Sequence, residues 1–322
     1  MKNKYFITIF LLIALTLTIG EVYFNNTTTN SNKGQFTEKI ASTANRDKMP
    51  NATTGGVSLG LYNIDGNIES SFVFKSKKNE SLRKFISVGN LISKKRMYRL
   101  LLLTDYKQSK FKVANKEVSY YNFEMNPYET KEIPVEIFDL NKGFHDILFV
   151  IVKYPDNKSL EDEFRKTTDM NHLLFMRFNV VVDDNKKPQY SFYNGQIDKG
   201  NKTLDGVFIN KNKLVRWLKE EVDKSSVVNY LINIGNNSYP KRKYALIVLF
   251  DWKQTLINGK ENVLFFELDK NSMVTISSKL NLPSNEGVYD LTPILIHNPY
   301  EETNLYNRYV ETGVRVGIKV ND

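Results

Sequence analysis

The chain carries one pattern twice, about 146 residues apart, and that repetition restricts its fold more than any other feature. Ile86-Ser-Val-Gly-Asn90 returns as Ile232-Asn-Ile-Gly-Asn236. Lys95-Arg-Met-Tyr-Arg-Leu100 returns as Lys241-Arg-Lys-Tyr-Ala-Leu246, and Thr104-Asp-Tyr-Lys-Gln108 as Phe250-Asp-Trp-Lys-Gln254. Aligned without gaps, 86–108 and 232–254 share eleven of 23 positions. A fixed period this clear marks a duplicated structural unit. The match continues with small length changes. Phe123-Glu124 aligns with Phe266-Glu267, the run beginning Gly143 with that beginning Gly287, and Met176-Arg177 with Val314-Arg315. The shifts fall between apolar runs, where loops tolerate insertion. The units are placed at 57–184 and 186–322, each near the usual size of one domain.

Periodicity says what the units are made of. Residues 98–103, 133–138, 147–152 and 178–182 are short, mostly apolar runs of strand length. So are 244–250, 263–268, 274–280, 291–296 and 314–320 in the second unit. Most are bounded by Gly, Pro, Asn or Asp, as strands between turns are. Val314 to Val320 alternates strictly, which predicts one buried and one wet face. Helical signals are few: Leu214, Trp217, Leu218 and Val222 fit one helical face, and Ser159-Leu-Glu-Asp162 reads as a capping box. The expectation is an all-β chain of two tandem immunoglobulin-like antiparallel β-sandwich domains, after an N-terminal apolar helix and a disordered tether.

The N-terminus bears on compartment. Lys2 and Lys4 precede an apolar stretch, 5–20, with no charge before Glu21. Residues 1–24 read as a signal peptide or an N-terminal membrane anchor, and the preceding lysines place the rest of the chain outside. Residues 25–56 are rich in Asn, Thr and Ser and poor in large apolar side chains, so they read as a disordered linker. The chain has no cysteine. A Lys- and Asn-rich exported protein without cysteine fits the extracellular side of the cytoplasmic membrane, or the cell wall, of a Gram-positive bacterium. The net charge of +9 suits anionic wall polymers or lipid headgroups. Export disfavours nucleic acid as a partner.

Local signatures of catalysis are missing. His145, His172 and His297 show no metal-ligand spacing, there is no cysteine nucleophile, and neither a G-x-S-x-G elbow nor a phosphate-cradling glycine loop occurs. No cofactor, metal or catalytic residue is expected, and the chain reads as a non-enzyme. Carboxylates recur in pairs, Asp105 with Asp251, Glu124 with Glu267 and Asp146 with Asp290. A strand-end Asp more often accepts backbone N–H bonds in a turn than serves catalysis. Two features remain as a candidate binding surface. The first is Tyr106 and Trp252, in equivalent positions and followed by Lys107 and Lys253, which would stack on a sugar, anchor a protein contact, or cap their own cores. The second is the pair of basic turns, Lys95-Arg96 and Lys241-Arg242, whose plainer reading is solvated turns that discourage edge aggregation. The function expected is a cell-surface binding or assembly protein with a protein partner. The alternatives are a carbohydrate or anionic wall-polymer binder, and then a surface hydrolase. The membrane is a further partner if 5–20 is retained.

Overall fold

The apolar runs fold as strands, and the place of each strand explains how apolar it is. The protein is represented by a computed structural model that describes residues 39–40, 55–200, 204–212, 215–224 and 226–322. It is nearly all-β, with 56% strand and 3% helix. The first repeat holds β1 (Lys39–Ile40), β2 (Val57–Tyr62), β3 (Val73–Ser76), β4 (Leu82–Asn90), β5 (Arg96–Thr104) and β6 (Lys107–Ser109). It continues with β7 (Phe111–Val113), β8 (Lys116–Val118), β9 (Tyr121–Met125), β10 (Glu129–Ile137), β11 (Gly143–Lys153) and β12 (Leu174–Val182). Two single-turn helices, α1 (Asp162–Arg165) and α2 (Thr168–Asn171), precede β12. The second repeat holds β13 (Ile197–Lys199), β14 (Gly206–Asn210), β15 (Lys219–Asp223), β16 (Val227–Asn236), β17 (Lys241–Phe250) and β18 (Lys253–Thr255). After these come β19 (Leu264–Asp269), β20 (Ser272–Asn281), β21 (Gly287–His297), β22 (Val310–Thr312) and β23 (Val316–Asn321).

Each repeat forms an outer and an inner sheet. The outer sheets run β2-β4-β10-β7-β8, with β1 on β10, and β13-β20-β16-β14. The inner sheets run β3-β12-β11-β5-β6, with β9 on β5, and β15-β23-β21-β17-β18, with β19 on β17 and β22 on β21. Among the described strands, pairing is antiparallel except at one edge of each inner sheet, where β3 lies parallel to β12 and β15 parallel to β23. Outer and inner sheets face each other across a core in both repeats. Ile86, Val88, Ile133 and Val135 meet Leu100, Leu102, Phe149 and Phe178 in the first. Ile232, Ile234, Val274 and Ile276 meet Leu246, Val248, Leu295 and Ile318 in the second. These are β-sandwiches.

A third core joins them. The other face of the first inner sheet, with Leu101, Leu103, Leu148 and Val150, packs on Ala245, Ile247, Ile294 and Ile296 of the second. Four sheets thus stack in layers, and Glu38–Asp322 is one compact unit. The central strands of both inner sheets are buried on both faces, which requires continuous rather than alternating apolar sequence. All eleven residues of β11 are buried, and β17 is buried from Tyr244 to Leu249. By contrast β20, in an outer sheet with one wet face, alternates buried and exposed along most of its length.

This layering corrects several expectations. The alternating run 314–320 overlaps β23, yet its polar Arg315, just before the strand, is fully buried in the layer between the sandwiches. The stretch read as an amphipathic helix contains β15, an edge strand in the parallel pair with β23; its charged sequence discourages further pairing. A short helix does follow Ser159, but it starts at Asp162. Its N-cap is Glu161, which makes no side-chain cap bond, while the Ser159 hydroxyl accepts the Glu161 N–H at 3.2 Å. Lys39–Ile40, inside the segment read as a linker, pairs with β10. The proposed signal or anchor, 1–24, lies outside the described residues, as does most of 25–56.

Candidate binding groove at the sandwich seam

The duplicated Asp-aromatic-Lys-Gln motif is a two-residue hairpin turn. Thr104 pairs with Lys107 and Phe250 with Lys253. The residues between them all have positive φ: Asp105 49°, Tyr106 64°, Asp251 47° and Trp252 66°. That is the type I′ geometry whose twist suits a tight hairpin, although it usually takes Asn-Gly. The left-handed conformation costs an ordinary residue about 1–2 kcal/mol. Burial of the aromatic offsets it: Tyr106 is 1% exposed and Trp252 2%, both in the layer between the sandwiches.

Contacts around these turns are reciprocal. The backbone N–H of Gln108 donates to Gln254 Oε1 at 2.8 Å, and that of Gln254 to Gln108 Oε1 at 2.8 Å. Gln108 Nε2 donates to the Trp252 carbonyl, and Gln254 Nε2 to that of Tyr106. Arg177 reaches across to the carbonyls of His297 and Asn298; its repeat equivalent Arg315 reaches back to those of Lys153 and Tyr154. When residue i contacts j and the counterpart of j contacts that of i, the interface has local two-fold symmetry. The chain therefore folds on itself as a homodimer would assemble.

The symmetry breaks at the carboxylates. Asp146 accepts two bonds from Arg177, at 2.9 and 2.5 Å, and one from the Tyr106 hydroxyl. Burial lowers the Arg177 pKa, but Asp146 more than reverses it and holds the guanidinium charged. Asp290 is bonded instead by Arg165 at 3.1 Å. Burial pushes the Asp290 pKa up and the Arg315 pKa down, as expected for a looser buried pair. Gly317, where the first repeat has Asn179, makes room: a Cβ there would collide with the Arg165 guanidinium.

The expected binding surface is therefore dispersed. Tyr106 and Trp252 are interface residues, so neither ring is free to stack on a sugar. Lys95 pairs with Glu124 at 2.7 Å and Lys241 with Glu267 at 2.6 Å. Arg96, 3% exposed, lies against the Tyr154 ring and bonds Asp169 at 2.6 Å. Arg242 stacks on Tyr239 and donates to His297 Nδ1 at 3.0 Å. Lys107 and Lys253 are exposed, on different grooves.

The Lys253 groove, about 670 Å³, is the candidate site. Arg99, Lys110, Tyr120 and Lys158 of the first repeat line it with Lys253 of the second, so it exists only because the sandwiches dock. Arg99 binds Asp156 at 3.0 Å, Lys158 binds Asp251 at 2.5 Å and Lys110 binds Glu117 at 2.9 Å. Tyr120 is 47% exposed, with the Arg99 guanidinium 4.5 Å from its ring centre. Sequence reading passed over Arg99, Lys110, Tyr120 and Lys158. One signal was present: Arg99 interrupts an apolar run where the second repeat has Ala245.

The histidines stand apart. His145 binds Asp105 at 2.7 Å and the Asn141 carbonyl at 2.6 Å. Burial lowers its pKa, but these two acceptors raise it further, for a net increase. His297 pairs with Glu311, and the His172 pKa is lowered by burial and then by Lys153. Among the described residues no group of three or more His, Asp or Glu is placed to hold a metal ion, and no helix is long and apolar enough to cross a membrane.

No family model and no curated protein matches the chain. Solved structures similar to it include a CARDB domain from Pyrococcus furiosus in complex with di-metal ions, at 12% identity and TM-score 0.26, covering 41% of this chain and 96% of that one. Red sea bream transglutaminase matches at 8% identity and TM-score 0.23, covering 83% of this chain and 31% of that one. The C-terminal domain of the Streptococcus agalactiae AgI/II polypeptide BspA matches at 7% identity and TM-score 0.23, covering 82% and 100%.

Proposed function

We propose that the chain is an exported, non-catalytic binding or assembly protein of the bacterial cell surface, and that the seam groove is where it meets a protein partner. One observation carries this reading: a groove built from both repeats, lined by four basic side chains, two aspartates paired with two of them, and an exposed tyrosine. Lys253 there has no carboxylate partner among the described residues. Tyrosine and arginine at a concave site are the residue types that anchor protein contacts, and the lysines favour an acidic partner. Each sandwich is assigned an immunoglobulin-like topology, supported by the outer order β2-β4-β10 against the inner order β12-β11-β5 and by the parallel edge strand. Export is assigned to residues 5–20, on the charge and apolarity of that sequence. The cation lining and the net charge of +9 favour a second reading, an anionic wall polymer in the same groove.

A photo-crosslinking residue at Tyr120 tests the assignment on intact cells, with Thr275 on the opposite outer sheet as the control position. The expected result is a crosslink to a cell-surface protein from 120 and none from 275. A crosslink to wall polymer alone would support the second reading, and equal labelling at both positions would remove the groove from the account.

A further inference from the structure

The second repeat shows what the edge beside the groove is built to receive. There the segment leading into the sandwich lies along the outer edge of β19: Phe192 bridges Phe265 in parallel register, and the Tyr193 N–H donates to the Phe265 carbonyl at 2.8 Å. Tyr190 stacks on Phe265 with ring centres 4.2 Å apart. Strand β9 is the first repeat's counterpart of β19. It pairs with β5 as β19 pairs with β17, and Arg99↔Asn122 corresponds to Ala245↔Phe265. Among the described residues no strand pairs with the outer edge of β9. The Phe265 carbonyl points outward, and backbone groups alternate along an antiparallel strand, so those of Asn122 and Glu124 point the same way. Glu124 agrees, since its carbonyl accepts Lys131 Nζ at 3.4 Å.

The side chains around this edge have changed character. Where the second repeat has Ala245 and Phe265 under a tyrosine, the first has Arg99, whose Nε donates to Asn122 Oδ1 at 2.7 Å. Beyond it lie Lys110 and Lys158, which pair with Glu117 and Asp251, and Lys253, which has no carboxylate partner among the described residues. We propose that β9 is a docking edge for an extended acidic peptide segment of a partner protein. The segment adds to the sheet as Tyr190–Tyr193 does on β19, and an acidic side chain enters the groove where the tyrosine sits in the other repeat. This is strand addition, in which main-chain bonds supply affinity and a side-chain pocket supplies selectivity. The proposal rests on the groove reading and names the chemistry of its partner.

The test uses the full chain and a fluorescein-labelled ten-residue peptide of alternating Glu and Val, with a Lys–Val peptide as control. Anisotropy gives affinity, and hydrogen exchange reads the β9 amides. The expected result is binding of the Glu peptide alone, about tenfold weakened by Lys253→Glu, with exchange slowed at Asn122 and Glu124. Asn122→Pro removes an outward N–H and is expected to abolish binding. Lys253→Glu, on an exposed side chain, keeps the test valid if that variant fails to fold. No binding, equal binding of the Lys peptide, or binding without slowed exchange at β9 would overturn the proposal. The two readings fail separately. A protein crosslink from Tyr120 with β9 amides untouched would leave the groove reading standing and remove strand docking.

Discussion

Single residues show why the duplicated letters were kept. Asn90 and Asn236 are fully buried, and each side-chain amide ties two carbonyls around its turn: Lys94 and Asn126 in one repeat, Tyr239 and Leu268 in the other. The preceding glycines, Gly89 and Gly235, lie where a Cβ would collide with Ser58 and Leu204. That part of the motif was legible as scaffold from sequence. The role of Gln108 and Gln254 was not, because they bond each other across the seam. In a symmetric interface one motif is both surface and partner, and a single sequence does not reveal that its two copies meet. Gly317 belongs to the unmatched remainder. Gly317→Ala is expected to destabilise the protein by about 1–3 kcal/mol in chemical denaturation. The Arg165 guanidinium is the mobile end of that clash, but moving it strands Asp290 in a buried site. A change within ±0.5 kcal/mol would mean that Arg165 has somewhere else to go.

Elements show how the same residue pattern serves two environments. In an outer sheet β20 alternates as a half-buried strand does, whereas β11 and the middle of β17 are buried without interruption because each lies between two cores. The long apolar runs were visible in the sequence, but the second core they implied was not inferred. Length alone does not separate a strand buried on both faces from any other apolar run. The turn joining β17 to β18 illustrates the same limit. At the end of its strand Trp252 reads as a stacking ring, a protein anchor or a cap on its own core, and only the packed layer between the sandwiches shows why an aromatic is tolerated at positive φ. Trp252→Ala is expected to cost about 3–5 kcal/mol of unfolding free energy, since it empties a buried site and leaves the Pro155 carbonyl without its 2.8 Å donor. An exposed, ligand-stacking tryptophan would cost about 0.5 kcal/mol or less, so denaturant titration of this one variant separates the two roles.

At the scale of the molecule, duplication has produced a body rather than a pair of beads. The long connection from β11 to β12 reaches the second sandwich, through Arg165 to Asp290 and Lys219 to Asp162. The corresponding connection after β21 returns to the first, where the Thr303 N–H donates to Asn179 and Arg308 lies over Phe72. Two sandwiches on a flexible link would offer two independent sites that gain from effective concentration. Docked sandwiches present composite grooves at their seam instead, the Lys253 groove among them. Whether the halves act as one unit is decided by scanning calorimetry of the full chain. Fusion through a third core predicts one cooperative transition, with calorimetric and van't Hoff enthalpies in a ratio near one. Two resolved transitions, or a ratio of about two, would mean that the sandwiches unfold independently and would contradict the account.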